Sequence, residues 1–339
     1  MTDLATFAQG LPKAELHLHL EGTLEPELKF ELARRNGIEL AQKTVDEVRA
    51  TYNFHDLTSF LAVYYPAMDV LRTADDFRDL AYAYLKKAAS QGTRHAEMFF
   101  DPQAHTGRGV PFADVIGGYR RAIIEARADF GISGELILCM LRDLSAEFAM
   151  ATLMEALPYR EWILGIGLDS DERGNPPAKF AAVFARAKAE GFLLTMHCDI
   201  DQEGSIEHIR QVIEEIGVDR IDHGTNILEN EELVEAAKAR GLGFTACPVS
   251  NSFVTEQMKS DEIVELLRRG LRVTINSDDP AYFGGYIGDN YVALAEKAAL
   301  TREDLAQLAR NSFEASWLSA SRRDAYLAEV DAYLAAHPA

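Results

Sequence analysis

A chain of 339 residues with 47% apolar content can bury a large core, and no linker, charge block or low-complexity tract divides it, so a single domain over 1–339 is expected. A formal net charge of −20 without any dense Lys/Arg cluster would repel a polyanion, which sets nucleic acid aside as a partner. No apolar run is long enough for a membrane span, residues 1–13 do not read as a leader, and three scattered cysteines (Cys139, Cys198, Cys247) suit a reducing compartment, so a soluble cytoplasmic protein is expected.

The first predicted element is a strand over 14–20, and it carries His17 and His19. Alternate strand side chains share a face, so the two imidazoles would project together about 7 Å apart, close enough to grip one cation. Taken alone, the pair is as readily two polar residues at a strand edge. Residues 25–71 hold extra helical pattern, long for one crossover, and read as an inserted lid whose apolar face is Phe54, Leu57, Phe60 and Leu61. Those four serve equally well as ordinary contacts of an insertion.

Further strands are predicted at 93–100, 135–141, 162–168, 193–197, 220–223, 243–247 and 272–276, giving eight in all. Helical patterns fall between them at 74–90, 112–130, 176–190, 205–216, 230–240 and 261–269, and beyond Arg302 the pattern is helical only. Strand and helix alternating eight times imply parallel pairing with right-handed crossovers, so the predicted fold is an α/β (β/α)8 TIM barrel with a helical insertion after strand one and extra C-terminal helices.

In such barrels chemistry sits at the carboxyl ends of the strands, and the unusual residues of this chain fall there. Strand one ends in His17, His19 and Glu21; strand four runs into Asp169-Ser170-Asp171 and strand five into His197-Cys198-Asp199. Strand six runs into Asp222-His223-Gly224 and strand eight into Ser277-Asp278-Asp279-Pro280. Four of the nine histidines lie at these ends. Imidazoles and carboxylates converging on one rim have the ligand types of zinc or another divalent first-row ion. The two consecutive aspartates would project to different sides, one toward a cation and one toward a ligand, although the pair is also a turn signal before Pro280.

Six segments, in order, resemble the adenosine/adenine deaminase family of metal-dependent aminohydrolases: Glu15-Leu-His-Leu-His-Leu-Glu-Gly-Thr-Leu-Glu-Pro26, Gly165-Ile-Gly-Leu-Asp-Ser170, the His197 strand end, Asp222-His-Gly-Thr225, Cys247-Pro-Val-Ser-Asn251 and Ser277-Asp-Asp-Pro280. The resemblance implies that His17, His19, His197 and Asp278 bind one divalent metal ion, Zn2+ first among candidates, that His223 orients or deprotonates the attacking water, and that Asp279 hydrogen-bonds the purine at N7. It also implies a small purine as partner, with His19, Glu21, Asp169 and Ser170 beside it and a backbone NH near Ser170 facing N3; a homo-oligomer is compatible with all of this. The implied reaction is hydrolytic deamination of a 6-aminopurine by metal-activated water.

Two departures bear on the substrate. The Glu that the family places three residues after its third metal His is Ile200 here, and isoleucine cannot donate a proton; Asp199 or Asp201 are favoured over Glu203 to fill that role, with helix capping before Ser205 as their alternative. Glu21 stands where the adenosine branch has Asp, one methylene longer at the place expected to meet the ribose, which favours a free base such as adenine or an N6-substituted adenine. A weakly catalytic metal-containing purine binder and a hydrolase of another substrate on the same barrel stand as alternatives. The separate zinc deaminase pattern with His-x-Glu and Pro-Cys-x-x-Cys is absent from the sequence.

Overall fold

Eight parallel strands follow one another around the computed structural model in chain order, each hydrogen-bonded to the next: β1 (Lys13–Glu15), β2 (Thr93–Phe100), β3 (Ser133–Leu141), β4 (Ile163–Asp169), β5 (Leu193–Cys198), β6 (Arg220–His223), β7 (Gly243–Ala246) and β8 (Arg272–Ile275). The structure describes residues 3–198, 202–255 and 257–338. Strands buried on both faces suit a sheet wrapped inside helices, and the predicted (β/α)8 barrel is what forms. Local signals set the crossover helices. Ala74–Ser90 opens on a capping box between Thr73 and Asp76, and Phe112–Phe130 stops at Gly131 with φ of 74°.

The first strand is shorter than its sequence pattern. The ladder stops at Glu15, because Leu16 N donates to the Asn276 side chain at 2.8 Å rather than to a strand neighbour. Beyond that point the backbone bonds both neighbours in turn: Asp278 N to His17 O (3.1 Å), Phe99 N to Leu18 O (2.8 Å), His19 N to Asp278 O (3.0 Å) and Leu20 N to Phe99 O (2.9 Å). These bonds close the seam between β8 and β1, and they place the His17 and His19 rings 5.6 Å apart at their centroids rather than at regular strand spacing. Two predicted helices are also broken: a 3-10 turn (Pro177–Phe180) precedes Ala181–Ala189, and Ser205–Arg210 continues as a π-helical turn (Gln211–Ile216).

Two additions close the barrel's ends. The C-terminal helix Arg302–Glu314 seals the floor, where Asn311 Nδ2 donates to Val273 O at 3.0 Å and Ser312 Oγ accepts from Ala14 N at 2.9 Å. At the mouth, the segment after β1 forms helices Pro26–Arg35, Val45–Arg49 and Leu57–Ala67, and the last of these lies over the carboxyl ends of the strands. Among the described residues, no helix is long and apolar enough to cross a membrane.

Candidate metal centre

His17, His19, His197, His223 and Asp278 meet at the barrel mouth. His19 Nε2 and His197 Nε2 face each other at 3.2 Å; Asp278 Oδ1 lies 3.3 Å from His17 Nε2 and 3.5 Å from His19 Nε2. Donors bound at 2.0–2.1 Å around a tetrahedral centre are about 3.3–3.4 Å apart, so these spacings suit one zinc-sized ion.

The chemistry of the donors fits as well. Thr245 Oγ1 gives its single proton to Asp222 Oδ1 at 3.0 Å and therefore accepts from His17 Nδ1–H at 2.8 Å. That fixes the tautomer: His17 Nε2 carries the lone pair, is fully buried and has no hydrogen-bond partner, as a metal ligand requires. Asp222 spans both rings from behind, with Oδ2 3.6 Å from His197 Nδ1 and accepting from Thr195 Oγ1 at 2.6 Å.

The electrostatics divide the acids. Burial would raise Asp278, but the His17, His223 and His19 rings hold it well below the usual carboxylate range. Asp279 goes the other way: burial pushes it well above its ordinary value, opposed by His19 and reinforced by the charge on Asp278. Burial works against a charge on His19, but Asp279, Asp278 and Asp101 outweigh it and hold its pKa up. Burial and the neighbouring rings push His197 well below its ordinary value, and burial with His17 brings His223 down to about 3. Three residues here, Ser170, His223 and Asp278, have φ of 72°, 56° and 63°, backbone strain of the kind that collects at functional sites.

A cavity of about 60 Å³ opens beside the cluster. Its floor is His19, His197, His223, Asp278 and Asp279, and its roof includes Leu57, Phe60, Leu61 and Tyr65 from the inserted helix. Phe54 is set back, its ring 5.3 Å from Phe60. Tyr65 OH donates to Ser170 Oγ at 2.8 Å and ties the insertion to the β4 rim. Gly22 leaves room for the Asp279 carboxyl, since a Cβ there would fall 2.0 Å from Oδ1.

Glu21 is corrected. Its carboxylate does not line the cavity but is fully buried behind it, accepting from His105 Nε2 at 2.8 Å and Tyr119 OH at 2.9 Å. Burial would raise its pKa, but the His105 contact holds it down. Asp169 and Ser170 do line the cavity. Asp199 and Asp201, the expected proton donors, lie outside the described residues; Glu203 is exposed. Sequence reasoning passed over Asp101, Ser250 and Asn251, which also line the cavity. Asp101 carried the same signal as the others, an acid at the carboxyl end of a strand. Ser250 donates to Asp278 Oδ2 at 2.7 Å, a partner that no local pattern reveals.

The adenosine deaminase family profile matches residues 12–333. The chain is 48% identical over 333 residues to an adenine deaminase of Hahella chejuensis, covering 98% of this chain and 99% of that protein. It is 52% identical over 338 residues to an uncharacterised deaminase of Schizosaccharomyces pombe, with 99% and 100% covered. Among solved structures, an adenine deaminase from Arthrobacter aurescens superposes with a TM-score of 0.91 at 43% identity, covering 95% of this chain and 99% of that one. An amidohydrolase from Burkholderia ambifaria with bound Zn superposes with a TM-score of 0.89 at 27% identity, covering 99% and 95%.

Proposed function

The chain belongs to the adenosine deaminase family, and on that footing we propose that it hydrolyses the 6-amino group of adenine, giving hypoxanthine and ammonia. His17, His19, His197 and Asp278 would hold one Zn2+ ion, and such an ion supplies hydroxide at neutral pH by lowering the pKa of water from about 16 to about 7.

The protein's own groups supply the rest. His223 is neutral at physiological pH, because burial and His17 bring it down to about 3, and its Nε2 faces the cluster 3.9 Å from Asp278 Oδ2. That nitrogen orients the attacking water and takes its proton. Asp279, whose pKa burial pushes well above its ordinary value, would hydrogen-bond the purine N7, which has only a lone pair to offer. The backbone NH at Ser170 meets N3. Attack at C6 requires a proton at N1, for which Asp199 or Asp201 is proposed, and the proton that His223 takes from water passes to the amino nitrogen, which departs as ammonia. The apolar roof of Leu57, Phe60 and Leu61 lies against the ring and excludes water.

The observation that carries the choice of a free base is the size of the cavity beside the ligand cluster. At about 60 Å³ under an apolar roof, the enclosure suits a flat ring system without a sugar. Ammonia release from adenine, N6-methyladenine and adenosine, compared as kcat/KM, tests the proposal. Adenine should be the preferred substrate; a preference for adenosine would overturn the assignment.

A further inference from the structure

We infer that Asp101 accepts the ring N9–H of the base and is the side chain that selects a free purine over its nucleoside. The inference rests on the adenine assignment and names a contact that the assignment leaves open.

Asp101 follows β2 directly and is 1% exposed, yet it lines the cavity and its Oδ1 has no hydrogen-bond partner. An unpaired buried acceptor costs about 1–3 kcal/mol, so a carboxyl left in that state at a cavity wall calls for a donor from the ligand. The ordinary structural duty is absent: Asp101 precedes the short helix Pro102–Thr106, but its side chain makes no capping bond. Among the described residues it forms no ion pair within 4.0 Å either. Asp169 aggravates the situation, whereas His19 eases it. Asp101, Asp169 and His19 bring ligand atoms within 4.8 Å of one another; Asp169 Oδ2 lies 3.4 Å from His19 Nδ1, and Asp169 Oδ1 has no hydrogen-bond partner. Burial and the crowding by Asp169 push the Asp101 pKa well above its ordinary value, and an N–H from the ligand relieves that crowding.

The order of the strands places that N–H. Around the rim, Asp279 follows β8, Asp101 follows β2 and Ser170 follows β4. Around the purine, N7 is followed by C8, N9 and N3. With N7 on Asp279 and N3 on the Ser170 backbone, N9 falls between them, on the arc that Asp101 occupies. In a free base N9 carries a hydrogen and donates; in a nucleoside the same atom carries the sugar, leaves the Asp101 carboxyl unpaired and drives ribose into the acids. Sites built around a buried polar partner reject analogues that lack it far more strongly than apolar pockets reject a missing methylene.

The test compares adenine with 9-methyladenine in the zinc-loaded protein and in Asp101→Leu and Asp101→Ala variants at matched zinc content. The wild-type kcat/KM should favour adenine by at least about 100-fold, and that ratio should fall at least about tenfold in Asp101→Leu, which keeps the bulk and removes the acceptor. Should Asp101→Leu fail to fold, Asp101→Ala, which also lacks an acceptor, carries the same comparison. A wild-type ratio near one, or a ratio unmoved in a folded variant, overturns the inference while leaving adenine deamination intact. If the wild type released no ammonia from adenine, the activity assignment itself would fall, and calorimetric binding of hypoxanthine against 9-methylhypoxanthine would still read the Asp101 contact: loss of the hypoxanthine preference in the variants supports it, and an unchanged preference refutes it.

Discussion

Thr245→Val removes one hydroxyl from behind the proposed ligand His17 and nothing else, since valine matches threonine in shape. In the native arrangement His17 Nδ1–H donates to Thr245 Oγ1 at 2.8 Å and the hydroxyl proton goes on to Asp222 Oδ1 at 3.0 Å, with all three residues fully buried. Without the hydroxyl, His17 Nδ1 and Asp222 Oδ1 stand 3.9 Å apart, too far for a direct hydrogen bond. Two buried polar groups then lack a partner, each at a cost of about 1–3 kcal/mol, and the ring is free to place its proton on Nε2, where it cannot ligate. Loss of such an outer partner typically weakens metal binding 10–100-fold, or about 1.4–2.7 kcal/mol, and that range is expected here. Competition for zinc against a chromophoric chelator gives the affinity directly, and circular dichroism checks the fold. Thr245→Ser, which restores the hydroxyl, should recover most of the loss. A folded Thr245→Val protein that binds zinc as tightly as wild type would refute the tautomer argument.

Exhaustive chelation should abolish ammonia release, and stoichiometric zinc should restore it; full activity in a verified metal-free sample would break the link between the histidine cluster and the chemistry. A second expectation concerns acid stability. Asp304 closes the capping box of the helix Arg302–Glu314 by accepting from Thr301 N–H and pairs with Arg268; burial would raise its pKa, but that pairing and the Thr301 hydrogen bonds bring it down to about 2 in the folded state, against 3.8 as its ordinary value. A depressed folded pKa means that the contribution is complete above about 4 and is lost as pH falls through about 2. Asp304→Asn should therefore lower stability by about 1 kcal/mol at pH 7, the usual scale for one lost hydrogen bond, with the gap to wild type closing in thermal melts taken toward pH 2. A gap that stays constant across that range would contradict the assignment.

The barrel was legible because its signals are local: β-branched and apolar runs of strand length, separated by amphipathic stretches, set both the number of strands and their parallel pairing. The bounds of β2 and β6 could be read directly. The end of β1 could not, because the groups that interrupt its ladder, Asn276 and Asp278, lie some 260 residues away in the chain. The same divide runs through the site. His17, His19, His197 and Asp278 stood out by residue type at strand ends, and the fold brings their donor atoms together. Glu21 misled for the opposite reason. Its motif points toward substrate, but its partners are His105 and Tyr119, 84 and 98 residues downstream, and nothing near position 21 announces them. Thr245 was silent altogether, since a threonine in a strand is ordinary until the histidine above it is known.

How Asp278 and Asp279 come to differ illustrates how the backbone does what composition alone cannot. Strand alternation would send two consecutive carboxyls to opposite faces, but β8 ends at Ile275, before either residue. Their separation comes from Asp278 itself, held at φ of 63°, a conformation that costs a non-glycine residue about 1–3 kcal/mol. The contacts that hold it there are the ones that close the barrel: its N–H donates to His17 O at 3.1 Å, its carbonyl accepts from His19 N at 3.0 Å, and its Oδ2 accepts from Ser250 at 2.7 Å. The turn leaves Asp278 Oδ1 among the imidazoles, which hold its pKa well below the usual carboxylate range, while Asp279 lies beside Gly22, where burial pushes its pKa well above that range. Two chemically identical neighbours thus shift in opposite directions, which is the division that the proposed roles at the cation and at the ring nitrogen require. Relaxing the strain at Asp278 would undo the seam between β8 and β1 and the division of roles together.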